Sequence, residues 1–191
     1  TCTACCTSSQ FVLVTPDGER SMNTYLGACV NLQPDDIDAD VVAASQITYF
    51  EGYLWDPPLA KDAIRLAAQI AHQHGRQVAI TLSDSFCVDR YRDEFLELMR
   101  SGTVDIIFAN ESELKALYQT ADFDSALSAV QKDIDLAAVT RSEKGSIVVT
   151  PDSVAPVEAH AIDHLEDTTG AGDLYASGFL YGLTRNRSLV D

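Results

Sequence analysis

The rhythm of hydrophobic and polar positions changes along the chain. From Gln10 to Thr15 a β-type run meets the turn Pro16-Asp17-Gly18-Glu19 and continues as Arg20 to Tyr25, which predicts an opening hairpin with only partial apolar alternation. A short run from Ile47 to Phe50 then precedes a segment running from Pro57-Pro58 to Gly75. There Ala63, Ile64, Ala67, Ile70, Ala71 and His74 recur at helical spacing, with proline at the start and glycine at the end, as helix boundaries prefer. The pattern repeats as strand Gln77 to Leu82, helix Asp89 to Arg100 closed by Gly102, strand Val104 to Ala109, helices near Glu111 to Tyr118 and Asp124 to Lys132, and strand Leu136 to Thr140. Strands alternating with helices imply parallel crossovers and an α/β sheet covered on both faces. Runs Ser146 to Thr150 and Val154 to Glu158, around Pro151-Asp152, predict an antiparallel hairpin at the sheet edge. A last helix starts near Gly170 with Leu174, Phe179, Leu180 and Leu183 on its apolar side.

Composition narrows the function. With 191 residues and 46% hydrophobic content the chain can bury a substantial core. Thirteen Lys+Arg against 29 Asp+Glu leave a net charge of −16, which excludes a nucleic-acid backbone or an anionic bilayer as an electrostatic partner. No apolar run approaches the ~20 residues that span a bilayer, and Thr1 to Gln10 lacks the flanks of a signal peptide. Five cysteines, an odd count, disfavour a disulfide scaffold and point to reduced thiols in a cytoplasmic protein. Cys2-x-x-Cys5 is half of a zinc spacing, but no second pair follows, so small buried thiols are the plainer reading.

The chemistry concentrates in Asp167-Thr168-Thr169-Gly170-Ala171-Gly172-Asp173, directly before the last helix. Small residues at a helix start let backbone N–H groups crowd round an anion, and the helix dipole adds favourable potential. A carboxylate beside phosphate would be repelled unless it has a proton to take from an attacking hydroxyl, which makes Asp173 a general-base candidate. The alternative is a Gly-rich turn in which Asp173 favours the dipole. There is no G-x-x-x-x-G-K-[ST] loop, and Tyr175 stands where a dinucleotide fingerprint needs its third small residue.

The string from Asp167 to Gly182, D-T-T-G-A-G-D-L-Y-A-S-G-F-L-Y-G, resembles the C-terminal signature of the ribokinase or PfkB family of carbohydrate and nucleoside kinases. Asn110-Glu111-Ser112-Glu113 resembles the family's N-x-x-E motif, and Val139 to Gly145 its V-T-x-G-x-x-G nucleotide loop. Gly18-Glu19-Arg20 followed by Gly27-Ala28 is similar to its substrate-covering lid, and Tyr49 to Leu54 is similar to adenosine-kinase-like members. The resemblance implies a ribokinase-like, Rossmann-type, mostly parallel sheet flanked by helices. Residues 1–30 form the lid hairpin and its return to the core, and residues 31–191 the nucleotide-binding and catalytic core. It also implies an incomplete chain, since the family carries further segments before the lid and after the signature helix.

Carried over by position, the resemblance implies that Asp173 is the base and that the amides of Gly170, Ala171 and Gly172 form the anion hole. Asn110 and Glu113 organise Mg2+ and its waters; Thr140, Ser142, Gly145 and Thr169 line the ATP site, with Ser142 at a position that is commonly Gly. Asp167 helps hold a monovalent cation such as K+, or else caps the turn. Left alone, N-x-x-E is a capping box. Arg90 and Arg92 read as surface helix residues, and Glu51 as either a ligand contact or a structural acceptor. The implied function is an ATP-dependent kinase acting on a primary hydroxyl of a nucleoside, adenosine favoured, as a monomer or lid-mediated homodimer. The alternatives are a kinase for ribose, fructose or a sugar acid, and a non-catalytic nucleoside or sugar binder. Tyr25, Tyr49, Phe50, Tyr53 and Trp55 offer flat faces that suit a purine.

Overall fold

The structure, a computed structural model, describes residues 8–162 and 164–190. The chain opens with the antiparallel pair β1 (Ser9–Val14) and β2 (Arg20–Tyr25), in register from Ser9↔Tyr25 to Val14↔Arg20. All twelve positions are exposed, and a lone two-stranded sheet is marginal in water. Its anchor is the turn, where buried Gly18 at φ +82° lies against the Leu165 side chain. Cys2, Cys5 and Cys6 lie outside the described residues.

The core sheet runs in sequence order: β3 (Ile47–Glu51), β4 (Gln77–Thr81), β5 (Ile106–Asn110), β6 (Leu136–Thr140), β7 (Ser146–Thr150) and β8 (Ser153–Val157). The first four strands are parallel and the last two pairings antiparallel, as the alternation of elements predicts. Right-handed crossovers that always step in one direction place every connecting helix on the same face. Accordingly α2 (Pro58–Gln73), α3 (Ser85–Arg100), α4 (Glu111–Leu117) and α5 (Phe123–Asp133) share one core with the sheet, including Trp55, Ile64, Ile80, Phe95, Ile107, Leu114, Val130 and Val149. The short α1 (Ala39–Ala44), capped by Asp38 accepting from the amides of Asp40 and Val41 at 3.1 Å, precedes them.

Both faces are covered, but unequally. Opposite the four helices only α6 (Ala171–Thr184) packs among the described residues, placing Ala176 and the partly buried Tyr175, Phe179 and Leu183 on Ala79, Phe108, Ala138 and Val148. Grooves of about 440 Å³ and 580 Å³ flank this helix. No helix among the described residues is long and apolar enough to cross a membrane.

The boundary that departs furthest from the sequence pattern is the start of α3. α3 starts at Ser85, not Asp89, because Asp84 is its N-cap and accepts the Cys87 amide at 2.6 Å. A kink at Tyr91 (φ −120°, ψ 20°) breaks the apolar period there, which hid the first turn. Cys87 is a fully buried thiol, pushed up to about 11 by desolvation first and by nearby Asp84 and Asp56.

Candidate active site

Parallel register brings four strand ends to one edge. Glu51 lies beside Thr81 and Asn110 beside Thr140, at the carboxyl end of the sheet where open α/β folds bind ligands. Asn110 caps α4: its Oδ1 accepts the Glu113 N–H at 2.8 Å, while Glu113 accepts the Asn110 N–H at 3.0 Å and its Nδ2–H at 2.6 Å. The two residues are therefore together, in a reciprocal capping box that uses both carboxylate oxygens of Glu113. Glu113 is 5% exposed, and burial, with the charges of Asp84 and Glu51 adding, pushes its carboxyl up to about 7. Among the described residues no group of three or more His, Cys, Asp and Glu is arranged to hold a metal ion. A sparse, all-oxygen donor set of this kind fits a magnesium that keeps most of its waters and is held mainly by phosphates.

The end of β3 is a second polar centre. The Tyr49 hydroxyl donates to Glu51 Oε1 at 2.9 Å and the Ser83 hydroxyl to Oε2 at 3.4 Å. Burial raises the Glu51 carboxyl and the Tyr49 hydroxyl first, and the negative charge of Asp173, at the start of α6, adds to both. Ser83 adopts φ +72°, an uncommon conformation for serine, and its Oγ also accepts the Tyr53 N–H at 3.2 Å. Gly52 permits the approach, because a Cβ there would stand 2.9 Å from the Thr81 carbonyl and 3.0 Å from that of Leu82. Nothing in the spacing of the sequence marks Ser83, and Glu51 is left undecided by it.

Across the sheet lies the Gly-rich turn. Asp167 Oδ1 accepts the Thr169 N–H at 2.8 Å, closing an Asx turn, and bonds from Thr169 with the charge of Arg20 hold its carboxyl below the usual range. Gly170 takes the left-handed N-cap conformation (φ +76°, ψ 6°) that turns the chain into α6. Of the three amides read as an anion hole, that of Ala171 is donated to the Thr168 carbonyl at 3.1 Å. A Cβ on Gly172 would meet nothing within 4 Å, so the space over the helix start is open. Asp173 is exposed beside it.

The hairpin reaches this turn from 148 positions away. Arg20 Nη1 donates to Thr168 Oγ1 at 2.9 Å, and Thr168 Oγ1 donates to the Gly18 carbonyl at 3.1 Å. Arg20 thus stands at the Gly-rich turn before α6, a contact that the sequence does not reveal. Its one trace there is a basic residue directly after a turn in a chain with only 13 Lys+Arg.

In the nucleotide loop the Arg141 N–H donates to the Gly145 carbonyl at 2.8 Å. Ser142 sits at φ +50°, the left-handed region that explains why glycine is common there. Gly145, at φ +83°, crosses under β8: a Cβ would collide with the Val157 carbonyl and stand 2.7 Å from the Ala159 nitrogen. The aromatic group, by contrast, is split. Trp55 is fully buried with its Nε1–H on Glu94 at 2.9 Å and Phe50 is core, while Tyr25 and Tyr53 are exposed. Two of the five faces offered to a purine are therefore packing residues.

The model of the pfkB family of carbohydrate kinases matches residues 4–191. The chain belongs to this family. The adenosine kinase of Saccharomyces cerevisiae is 30% identical over 184 residues, covering 89% of this chain and 53% of that protein. The solved adenosine kinase of Sinorhizobium meliloti is 65% identical with a TM-score of 0.93, covering 95% of this chain and 56% of that one. The solved probable sugar kinase of Rhizobium etli CFN 42 is 61% identical with a TM-score of 0.94, covering 96% and 56%. The chain spans about half the length of the curated relatives it matches. Within the pfkB frame the ribokinase-like α/β architecture is borne out, and Ser142 is its departure from the nucleotide-loop pattern.

Proposed function

We propose that the complete protein is an ATP-dependent kinase that phosphorylates a primary hydroxyl of adenosine. The observation that carries the reading is Asp173, exposed at the open start of α6 beside the Gly170 turn. In this reading the Asp173 carboxylate takes the acceptor proton as the hydroxyl oxygen attacks the γ-phosphoryl group in line. Amides in the first turn of α6 and the Arg20 guanidinium offset the charge that spreads over the transferred group. Asn110 and Glu113 orient waters of the magnesium, and the Gly145 loop holds the nucleotide. Magnesium, when bound, neutralises phosphate charge. The 65% identity to the Sinorhizobium meliloti adenosine kinase favours adenosine as acceptor. A sugar acceptor is the second reading, favoured by the Rhizobium etli relative and by fructokinases of Arabidopsis thaliana at 24% identity.

The test is Asp173→Asn in the complete protein, assayed by ADP release with adenosine, ribose and fructose in parallel. Asparagine keeps the size and the turn's hydrogen bonds but cannot accept the proton, so turnover is expected to fall ~100-fold to 10,000-fold while ATP binding survives. Turnover within a few-fold of the parent removes Asp173 as the base. A higher kcat/KM for ribose or fructose than for adenosine transfers the assignment to a sugar.

A further inference from the structure

Arg141 is the side chain on which the nucleotide loop closes. Asn110 and Thr140 are paired across β5 and β6, so the residues that follow them, Glu111 and Arg141, leave the sheet side by side. Arg141 Nε donates to Glu111 Oε2 at 3.0 Å, and Lys115, one turn along α4, holds Glu111 Oε1 at 2.6 Å. On its other side the guanidinium carbon lies 4.2 Å from the ring centroid of Phe123, the first residue of α5. Both members of the Arg141–Glu111 pair are about three-quarters buried, with side-chain exposures of 24% and 25%. A guanidinium held by a carboxylate and an aromatic face at once is fixed in both position and plane, which a lysine could not reproduce.

Both functional segments end on this contact. Glu111 sits inside the Asn110-x-x-Glu113 turn, and Arg141 begins the Ser142 to Gly145 loop, whose carbonyl and amide bonds close back on Arg141 itself. We propose that Arg141 is a positioning residue that locks the nucleotide loop to the magnesium-organising turn, so that nucleotide and hydrated metal are engaged as one unit. This rests on the kinase reading and deepens it: Arg141 spends its side chain on Glu111 and Phe123, and acts on the nucleotide through the loop.

The test uses the complete protein with Arg141→Met, Arg141→Lys and Glu111→Gln, and the Arg141→Met/Glu111→Gln double variant. Titration with ATP and Mg2+ by calorimetry is run beside steady-state kinetics. Arg141→Met is expected to raise the KM and Kd for magnesium-ATP about tenfold and to raise the Mg2+ needed for half-saturation. The KM for the acceptor should stay within twofold. Glu111→Gln should act in the same direction, the double variant should be no worse than the worse single, and Arg141→Lys should recover part of the loss. A lowered melting temperature with unchanged Mg2+ dependence, additive effects, or an equal rise in the acceptor KM each overturns the proposal. If Arg141→Met does not fold, Arg141→Lys and Glu111→Gln decide by the same readouts. A parent that binds magnesium-ATP but phosphorylates no acceptor defeats the kinase reading alone, with the linkage still read from Kd. A parent that binds no nucleotide defeats both.

Discussion

The two faces of the six-stranded sheet are closed by different amounts of protein. On one side four helices and the buried turn at Trp55 interlock with every strand from β3 to β7, leaving residues such as Trp55, Phe95, Ile107 and Leu114 almost without exposure. On the other, among the described residues, α6 alone lies across the strands, and its packing residues Tyr175, Phe179 and Leu183 stay partly open beside two grooves. Right-handed crossovers taken in strand order put all four connecting helices on one face. The consequence is a division of labour. The filled face sets the geometry of the strand ends, and the open face carries the Gly170 turn and Asp173.

Side-chain truncation on each face measures this division most strongly. Phe95, buried between Trp55 and Tyr91 with ring centroids 6.2 Å and 6.3 Å away, is 1% exposed. Within this chain Phe95→Ala should destabilise the fold by about 3–5 kcal/mol. Phe179 meets Phe108 edge-on at 5.6 Å and Tyr175 at 6.3 Å but remains partly exposed, so Phe179→Ala should cost only about 1–2 kcal/mol. Denaturant unfolding of both variants checks the pair. Equal losses would show that the α6 side is closed as tightly as the other.

Glu113 is a buried carboxyl on the filled face, and its desolvation ties stability to pH. Its carboxyl is raised to about 7 in the fold, against an ordinary value near 4.5, because burial disfavours the charged form. A group whose folded value is raised contributes stability that is fully present below the ordinary value and is lost as pH rises through the folded one. Parent stability should therefore fall by up to about 3 kcal/mol between pH 4.5 and pH 7 from this residue. Glu113→Gln should flatten that part of the profile. Unfolding free energies at pH 5 and pH 8 read the difference, and an unchanged slope in the variant would assign the pH dependence to other groups.

What could be read in the sequence follows the same line. Strands β6 and β7 fall at Leu136–Thr140 and Ser146–Thr150 as expected, and α2 lies within its proline and glycine limits, because each carries its signal locally. The motifs likewise singled out Asn110, Thr140 and Glu113, and the structure pairs Asn110 with Thr140 at the carboxyl ends of β5 and β6 and bonds Asn110 to Glu113. The connections between them were not legible: Arg20 to Thr168, Ser83 to Glu51 and Arg141 to Glu111 span 148, 32 and 30 positions, and no periodicity records a contact made at that distance. The start of α3 was hidden for a different reason, a local kink at Tyr91 that interrupts the helical period just after Asp89.

The smallest effect tests backbone strain in two turns. Ser142, in the nucleotide loop, and Gln119, just beyond α4, both hold left-handed backbone, at φ +50° and +49°. That conformation costs an L-residue about 1–2 kcal/mol relative to glycine, while glycine adds about 0.4–1 kcal/mol of chain entropy to be lost on folding. Each substitution to glycine should therefore stabilise by about 0.5–1 kcal/mol, visible as a small rise in melting temperature. The two sites should separate in function. Gln119→Gly lies away from the strand ends and should leave the nucleotide KM unchanged, whereas Ser142→Gly loosens the loop that Gly145 and Arg141 close, and should raise that KM two- to threefold. A common rise in melting temperature with no difference in KM would mean that the strain at Ser142 does nothing for nucleotide binding. A loss of stability in Ser142→Gly alone would mean instead that the serine side chain holds the loop.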